Sequence, residues 1–340
     1  MTIHDVVEET TTLEDPFALR DLVIEQVTLE AEKVLSVRFA ALDGAELPGW
    51  EPGSHLDVVL PSGKVRQFSL CGDPADRTSY TVAVLREDDG RGGSVELHEY
   101  AIPGRTLKIR GPRNHFEFVP AHSYLFIAGG IGITPLLPMV REAAREGASW
   151  RLVYAGRSRG TMPFLAQLAE LTGIAGGEVV LYPKDETGRA DLASLLADLP
   201  PDTHVYCCGP GGVIEEVERR CGECLPEEAL HVERFTAGEA AANVHAEIAE
   251  AGGTFEVVLA RSGATAIVGP GCTVLDAIRD IAPDVLTDCE EGYCGTCETK
   301  VIEGEPEHHD TILTAKDRAK NRCMMICVGR AKSDRLVLDL

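Results

Sequence analysis

Aromatic residues are scarce in this chain: 2 Trp, 7 Tyr and 9 Phe among 340 residues. No apolar run approaches the roughly 20 residues that cross a bilayer, which excludes a membrane-spanning helix. Positive charge is also short, with 32 Lys and Arg against 55 Asp and Glu, a net charge of −23. That balance argues against nucleic acid and anionic membrane surfaces as partners. It suits a transient protein partner with a basic patch, and it equally serves solubility. The N-terminus, Met1 to Glu14, is acidic and Thr-rich, with no basic region leading into an apolar core. It reads as a mobile tail (residues 1–16) rather than a signal peptide, and the expectation is a cytoplasmic protein.

What is present is ordinary for a globular protein: 44% hydrophobic residues and length for two or three domains. Eleven cysteines stand out. Scattered as they are, most read as reduced thiols of a cytoplasmic protein. Four of them form a pattern. Cys289, Cys294 and Cys297 stand at C-x4-C-x2-C spacing, and Cys327 follows after 29 intervening residues. This is the ligand pattern of a plant-type [2Fe–2S] cluster, in which four thiolates hold two irons. Gly292 and Gly295 let the loop wrap closely enough for backbone N–H groups to reach the sulfurs. A four-cysteine zinc site usually has two C-x2-C arms, whereas one arm here is a lone cysteine. Cys272 and Cys323 fall outside the pattern. His308 and His309 do not make a Rieske centre while all four cysteines are present, and they read as solvent-facing loop residues. Cys221 and Cys224, a C-x-x-C with no second pair, read as structural.

Upstream, residues 17–119 carry alternating runs at Leu22–Leu29, Val34–Phe39, Leu56–Leu60 and Tyr80–Leu85, separated by Gly/Pro turns. They predict a small antiparallel barrel. Within it, Gly92-Gly93-Ser94 runs into a short helix whose first N–H groups would form an anion site, with Arg66 supplying charge. Residues 120–238 switch to strand–helix alternation, which predicts a parallel sheet. An apolar strand at Tyr124–Ala128 leads into Gly129-Gly130-Ile131-Gly132-Ile133-Thr134-Pro135 and a helix, the arrangement that seats a pyrophosphate. A later strand ends in Cys208-Gly209-Pro210. Arg157 and Ser158 follow the second strand, where an adenosine ribose would lie; an arginine there can pair with a 2′-phosphate or stack on adenine. Residues 239–253, rich in Ala, Glu and Gly, read as a linker. Strands return over residues 254–340 around the cysteine loop.

Taken in this order, the three motif sets resemble the ferredoxin-reductase superfamily. In particular they resemble the phthalate dioxygenase reductase and vanillate demethylase reductase family, over roughly residues 17–340. The resemblance implies a flavin-binding barrel, an NAD-binding α/β domain and a β-grasp ferredoxin domain. It implies that Arg66, Phe68, Ser69 and Leu70 line the flavin, with Gly92, Gly93 and Ser94 on its phosphate. Phe68 departs from the family's tyrosine, keeping the ring but losing the phenol. The flavin implied is FMN, with FAD as the alternative. Gly129, Gly130, Gly132, Thr134, Pro135, Arg157, Ser158, Gly209 and Pro210 would hold the nicotinamide cofactor. This is expected to be NADH, with NADPH possible. Cys208 would lie beside the nicotinamide, and Phe235 would cover the flavin ring. The implied function is the reductase component of a multicomponent oxygenase, carrying electrons from NADH through FMN and [2Fe–2S] to a terminal oxygenase component of Rieske type. A cytochrome P450 is the alternative partner. A non-enzymatic ferredoxin-like carrier or redox sensor is the alternative of another class.

Overall fold

Strong alternation in the N-terminal third produces a sheet with one dry face. A computed structural model describes residues 16–172, 176–197, 199–200, 202–235 and 239–340; most of the expected tail lies outside these. Six strands, β1 (Leu19–Ala31), β2 (Val34–Ala41), β3 (Ser54–Val59), β4 (Val65–Ser69), β5 (Ser79–Leu85) and β6 (Thr106–Asn114), pair in the order β4-β3-β6-β1-β2-β5. Neighbours are antiparallel. A bridge between Leu70 and Val82 joins the two ends, so the sheet closes into a barrel. Ile24, Phe39, Leu56, Leu70 and Val82 fill its centre without exposed surface. Helix α1 (Gly93–Tyr100) closes one end with Leu97.

The second body is a parallel sheet of β7 (Ser123–Gly129), β8 (Ser149–Gly156), β9 (Gly177–Pro183), β10 (Thr203–Cys208) and β11 (Leu230–Glu233), in the order β11-β10-β7-β8-β9. Tyr124 to Ala128 are all buried, as expected for a strand covered on both faces. Helix α2 (Ile133–Arg145) lies on one face with Ile133, Leu136, Leu137 and Val140 inward. Strand order reverses between β7 and β10, so a crevice opens there at the strands' C-terminal ends, the place where such sheets take ligands.

The third body pairs β12 (Phe255–Leu259), β13 (Thr265–Val268), β14 (Glu298–Glu303), β16 (Cys323–Met325) and β18 (Arg335–Leu338) in the order β13-β12-β18-β14-β16; β15 (Pro306–Glu307) and β17 (Arg330–Ala331) form a small separate ladder. β12 and β18 are parallel while the other pairs are antiparallel. Thr273 caps the helix Val274–Ile278, exchanging hydrogen bonds with Asp276.

Two expectations change. The stretch 239–253, read as a linker, is largely helical: a helix runs from Glu239 to Glu250. Its Val244 and Ile248 are buried in the core of the third body, which rewards helix formation in an Ala-rich stretch. His308 and His309 are not solvent-facing either. Their side chains are 8% and 16% exposed, beside Asp310 and between Glu247 and Glu307.

The helix makes a stability prediction. Ile248→Ala removes a buried branched side chain and should cost about 2–4 kcal/mol. Thermal unfolding monitored at the iron–sulfur absorption should shift down, whereas a free linker would leave it unmoved.

Candidate functional site

One cleft lies where the three bodies meet. Its walls include Arg66, Phe68 and Ser69 from β4, Gly93 and Ser94 from the start of α1, Thr134 from α2, Phe235 after β11, and Asp288, Tyr293 and Cys294 from the cysteine loop. Segments far apart in sequence thus form a single surface.

At the α1 end the cleft is cationic. The Arg66 stem crosses Gly93 so closely that a Cβ there would stand 2.3 Å from Nε. Its guanidinium donates to the Arg91 carbonyl at 3.2 Å and to Asp288 Oδ1 at 2.6 Å. Gly92, at φ +80°, is the N-cap and supplies no side-chain cap, so the first-turn N–H groups of α1 are left for a ligand. Ser94 does not cap the helix. Its hydroxyl accepts the Glu87 N–H at 3.0 Å and keeps its own hydrogen to donate. Two guanidiniums, Arg66 and Arg91, face one carboxylate, Asp288, which leaves positive charge for a phosphate. Leu70 does not line the cleft; it is a barrel-core residue at the closing bridge.

Across the crevice two glycine turns meet backbone to backbone. A Cβ on Gly132 would stand 2.2 Å from the Cys208 carbonyl oxygen, and one on Gly129 would stand 2.6 Å from Pro210 Cδ. No other residue permits this approach between the ends of β7 and β10. Gly130, at φ +56°, faces open space, and Gly132 precedes α2, with Thr134 and Pro135 in its first turn. Arg157 and Ser158 leave β8 apart from the cleft. There Ser158 N–H donates to Thr161 Oγ1 at 3.2 Å, and Arg159 pairs with Glu186 at 3.0 Å.

Between these two halves stands a polar trio. Ser69 Oγ donates to Glu233 Oε2 at 3.2 Å, and Cys208 Sγ approaches the same oxygen at 3.9 Å. Cys208 is fully buried, and burial followed by Glu233 drives its thiol well above the ordinary range. Burial pushes the Glu233 carboxyl up to about 8, only partly offset by Ser69 and Cys208. A carboxyl that keeps its proton at neutral pH can donate as well as accept. Phe235 is 40% exposed and forms a cleft wall. Sequence reasoning passed over Glu233, although it ends β11 directly opposite Cys208 in register.

The four motif cysteines converge: Cys289 contacts Cys294 and Cys327, and Cys327 contacts Cys297. Backbone N–H groups of Glu291 and Thr296 point at Cys289 Sγ (3.3 Å) and Cys294 Sγ (3.5 Å). Gly292 and Gly295 have φ of +73° and +77°, and a Cβ on Gly292 would stand 2.6 Å from Val328. Four sulfurs in one nest with N–H donors are the donor set of a thiolate-held iron–sulfur cluster. Cys323 lies outside the nest, its thiol directed at Glu298.

Comparison with known proteins agrees with this construction. The model of the 2Fe-2S iron-sulfur cluster binding domain matches residues 257–332, and that of the oxidoreductase NAD-binding domain matches residues 126–219. The chain is similar to phenoxybenzoate dioxygenase subunit beta of Ectopseudomonas oleovorans, 40% identical over 96% of this chain and 98% of that one. It is likewise similar to phthalate dioxygenase reductase of Burkholderia cepacia, 36% identical over 97% and 100%. Among solved structures, phthalate dioxygenase reductase superposes with a TM-score of 0.65 at 34% identity, over 95% of this chain and 98% of that one. An intact type IV self-sufficient cytochrome P450 monooxygenase superposes with a TM-score of 0.81 at 41% identity. That match covers 95% of this chain but only 41% of the P450 chain, so this chain spans about two fifths of that protein. With its NAD-binding and iron–sulfur domains in this order, the chain is an oxidoreductase that belongs to the phthalate dioxygenase reductase family.

Proposed function

We propose that this protein is the NADH-dependent reductase of an oxygenase system, delivering single electrons to a non-haem oxygenase component of Rieske type. The observation that carries the reading is the shared cleft, in which flavin-type, nicotinamide-type and cluster-type residues form one wall system. Residues 17–119 act as the flavin module, 120–238 as the nicotinamide module and 254–340 as the ferredoxin module, with the helix Glu239–Glu250 packed into the last.

Arg66, Gly92, Gly93 and Ser94 hold the flavin phosphate, and Phe68 and Ser69 flank the ring. Arg91 and Asp288 line the phosphate end of the cleft, paired at 2.9 Å, and the flavin proposed there is FMN, as the family resemblance implies. Gly129 to Pro135 seat the pyrophosphate of the dinucleotide, and Gly209 and Pro210 keep that turn close. Phe235 excludes water from the ring face until nicotinamide replaces it, and Ser69, Cys208 and Glu233 orient the meeting point and hold a proton there. Bound flavin converts a two-electron donor into one-electron steps, which a [2Fe–2S] cluster on Cys289, Cys294, Cys297 and Cys327 can accept. The Glu186 carboxylate beside Arg159 disfavours a 2′-phosphate, supporting NADH. A P450 partner is the second reading, favoured by the likeness to the P450 chain.

Four measurements test this. Replacing Arg66 and Ser94 together by Ala should lower flavin retention at least tenfold, and mass analysis of flavin released from the unaltered protein should give FMN. Cys294→Ser should abolish cytochrome c reduction and spare ferricyanide reduction; loss of both would contradict a modular path. The kcat/KM ratio should favour NADH, and Glu186→Gln should narrow it; an initial preference for NADPH would overturn the cofactor assignment. Glu233 gives a pH signature. Folded, its carboxyl holds a proton to about pH 8, whereas unfolded it releases near 4.5. Its contribution is therefore full below about 4.5 and is lost as pH rises through 8, at a limit of about 1.4 kcal/mol per pH unit. Flavin-free Glu233→Gln should show a flatter stability profile across that window.

A further inference from the structure

A buried charge cluster ties the barrel to the cysteine loop, and no step above uses it. Asp57 on β3 has no exposed surface, and Arg110 and Arg113 on β6 are 8% and 6% exposed. Asp57 Oδ2 accepts from Arg110 Nε at 2.7 Å and from Arg113 Nη2 at 2.7 Å. Gln67 donates to its other oxygen at 2.9 Å. Both arginines then reach out of the barrel. Arg113 Nη1 donates to the Gly295 carbonyl at 2.7 Å and to Glu298 Oε2 at 3.0 Å, and Arg110 donates to the Thr296 carbonyl. Gly295 and Thr296 are the two residues between Cys294 and Cys297. His115 completes the contact, its Nε2–H donating to the ionised Glu298 Oε2 (3.1 Å) and lying 3.3 Å from where a Gly295 Cβ would be.

We propose that Arg110 and Arg113, organised by Asp57, are positioning residues for electron passage from flavin to cluster. The proposal rests on the reading above. Its physical content is twofold. Each planar guanidinium holds a barrel carboxylate and a cluster-loop carbonyl simultaneously, which fixes the loop carrying Cys294 against the flavin cleft; a lysine ammonium lacks that fork. The two cations also offset Asp57, fully buried, and Glu298, 10% exposed and next to Cys297. Without one cation, uncompensated negative charge would disfavour the added electron.

The test uses full-length, flavin- and iron-loaded protein. Arg113→Met should leave reduction of flavin by NADH unchanged. It should slow the flavin-to-cluster phase in anaerobic stopped flow at least tenfold. In an EPR-monitored titration it should shift the electron equilibrium about tenfold toward flavin, about 59 mV for one electron. Because a half-broken buried pair can prevent folding, Arg113→Lys is the second variant: the potential should stay at the unaltered value while the flavin-to-cluster phase slows at least threefold. Unaltered rate and potential in loaded Arg113→Met, or an unaltered rate in Arg113→Lys, would overturn the proposal. Absence of NADH-reducible flavin in the unaltered protein would instead strike the underlying functional reading.

Discussion

A carboxylate with no exposed surface sets the geometry of this molecule. Asp57 sits between two arginines in the barrel wall, and burial alone would push its pKa up. Arg113 and Arg110 outweigh that and hold it below the usual carboxylate range. The same burial, aided by Arg113, lowers the neighbouring His55 to about 3, so the ring stays neutral and adds no third cation. A charge so enclosed is tolerable only while every partner is in place. Those partners extend into the cysteine loop, so the barrel and the third body cannot separate without stranding charge.

The cleft depends on a second constraint, the close approach of backbone. Gly93 under Arg66, Gly132 against the Cys208 carbonyl and Gly292 against Val328 are each positions where one added carbon would overlap a neighbour. These glycines let the start of α1, the turn after β7 and the sulfur nest pack closely against their neighbours. The polar trio at Ser69, Cys208 and Glu233 occupies the seam between barrel and parallel sheet, where burial raises the affinity of Glu233 for its proton.

Much of this was legible in the sequence because the signals are local. The Cys289, Cys294, Cys297 spacing and the Gly129–Pro135 turn after an apolar strand each carry their signal within a few residues. What escaped was non-local. Strand β6 alternates only from Thr106 to Ile109; beyond that the pattern breaks because Arg110 and Arg113 are buried against another body rather than against oil. Asp288 precedes the first motif cysteine with nothing to mark it, yet it meets Arg66, 222 positions earlier in the chain. The helix Glu239–Glu250 looked like a spacer because its propensity is composition alone, and only Val244 and Ile248 reveal what it covers. Leu70 borders a motif but turns inward, which a motif cannot say.

That Asp288, Tyr293 and Cys294 wall the cleft has a consequence for biosynthesis. The barrel emerges from the ribosome first and can fold while the rest is made. Its cofactor pocket, however, has an open side until the last fifth of the chain has emerged. Flavin captured earlier would bind a half-built site. If the flavin sits in this cleft as proposed, its tight retention would begin only when the cysteine loop docks, late in the maturation of the polypeptide.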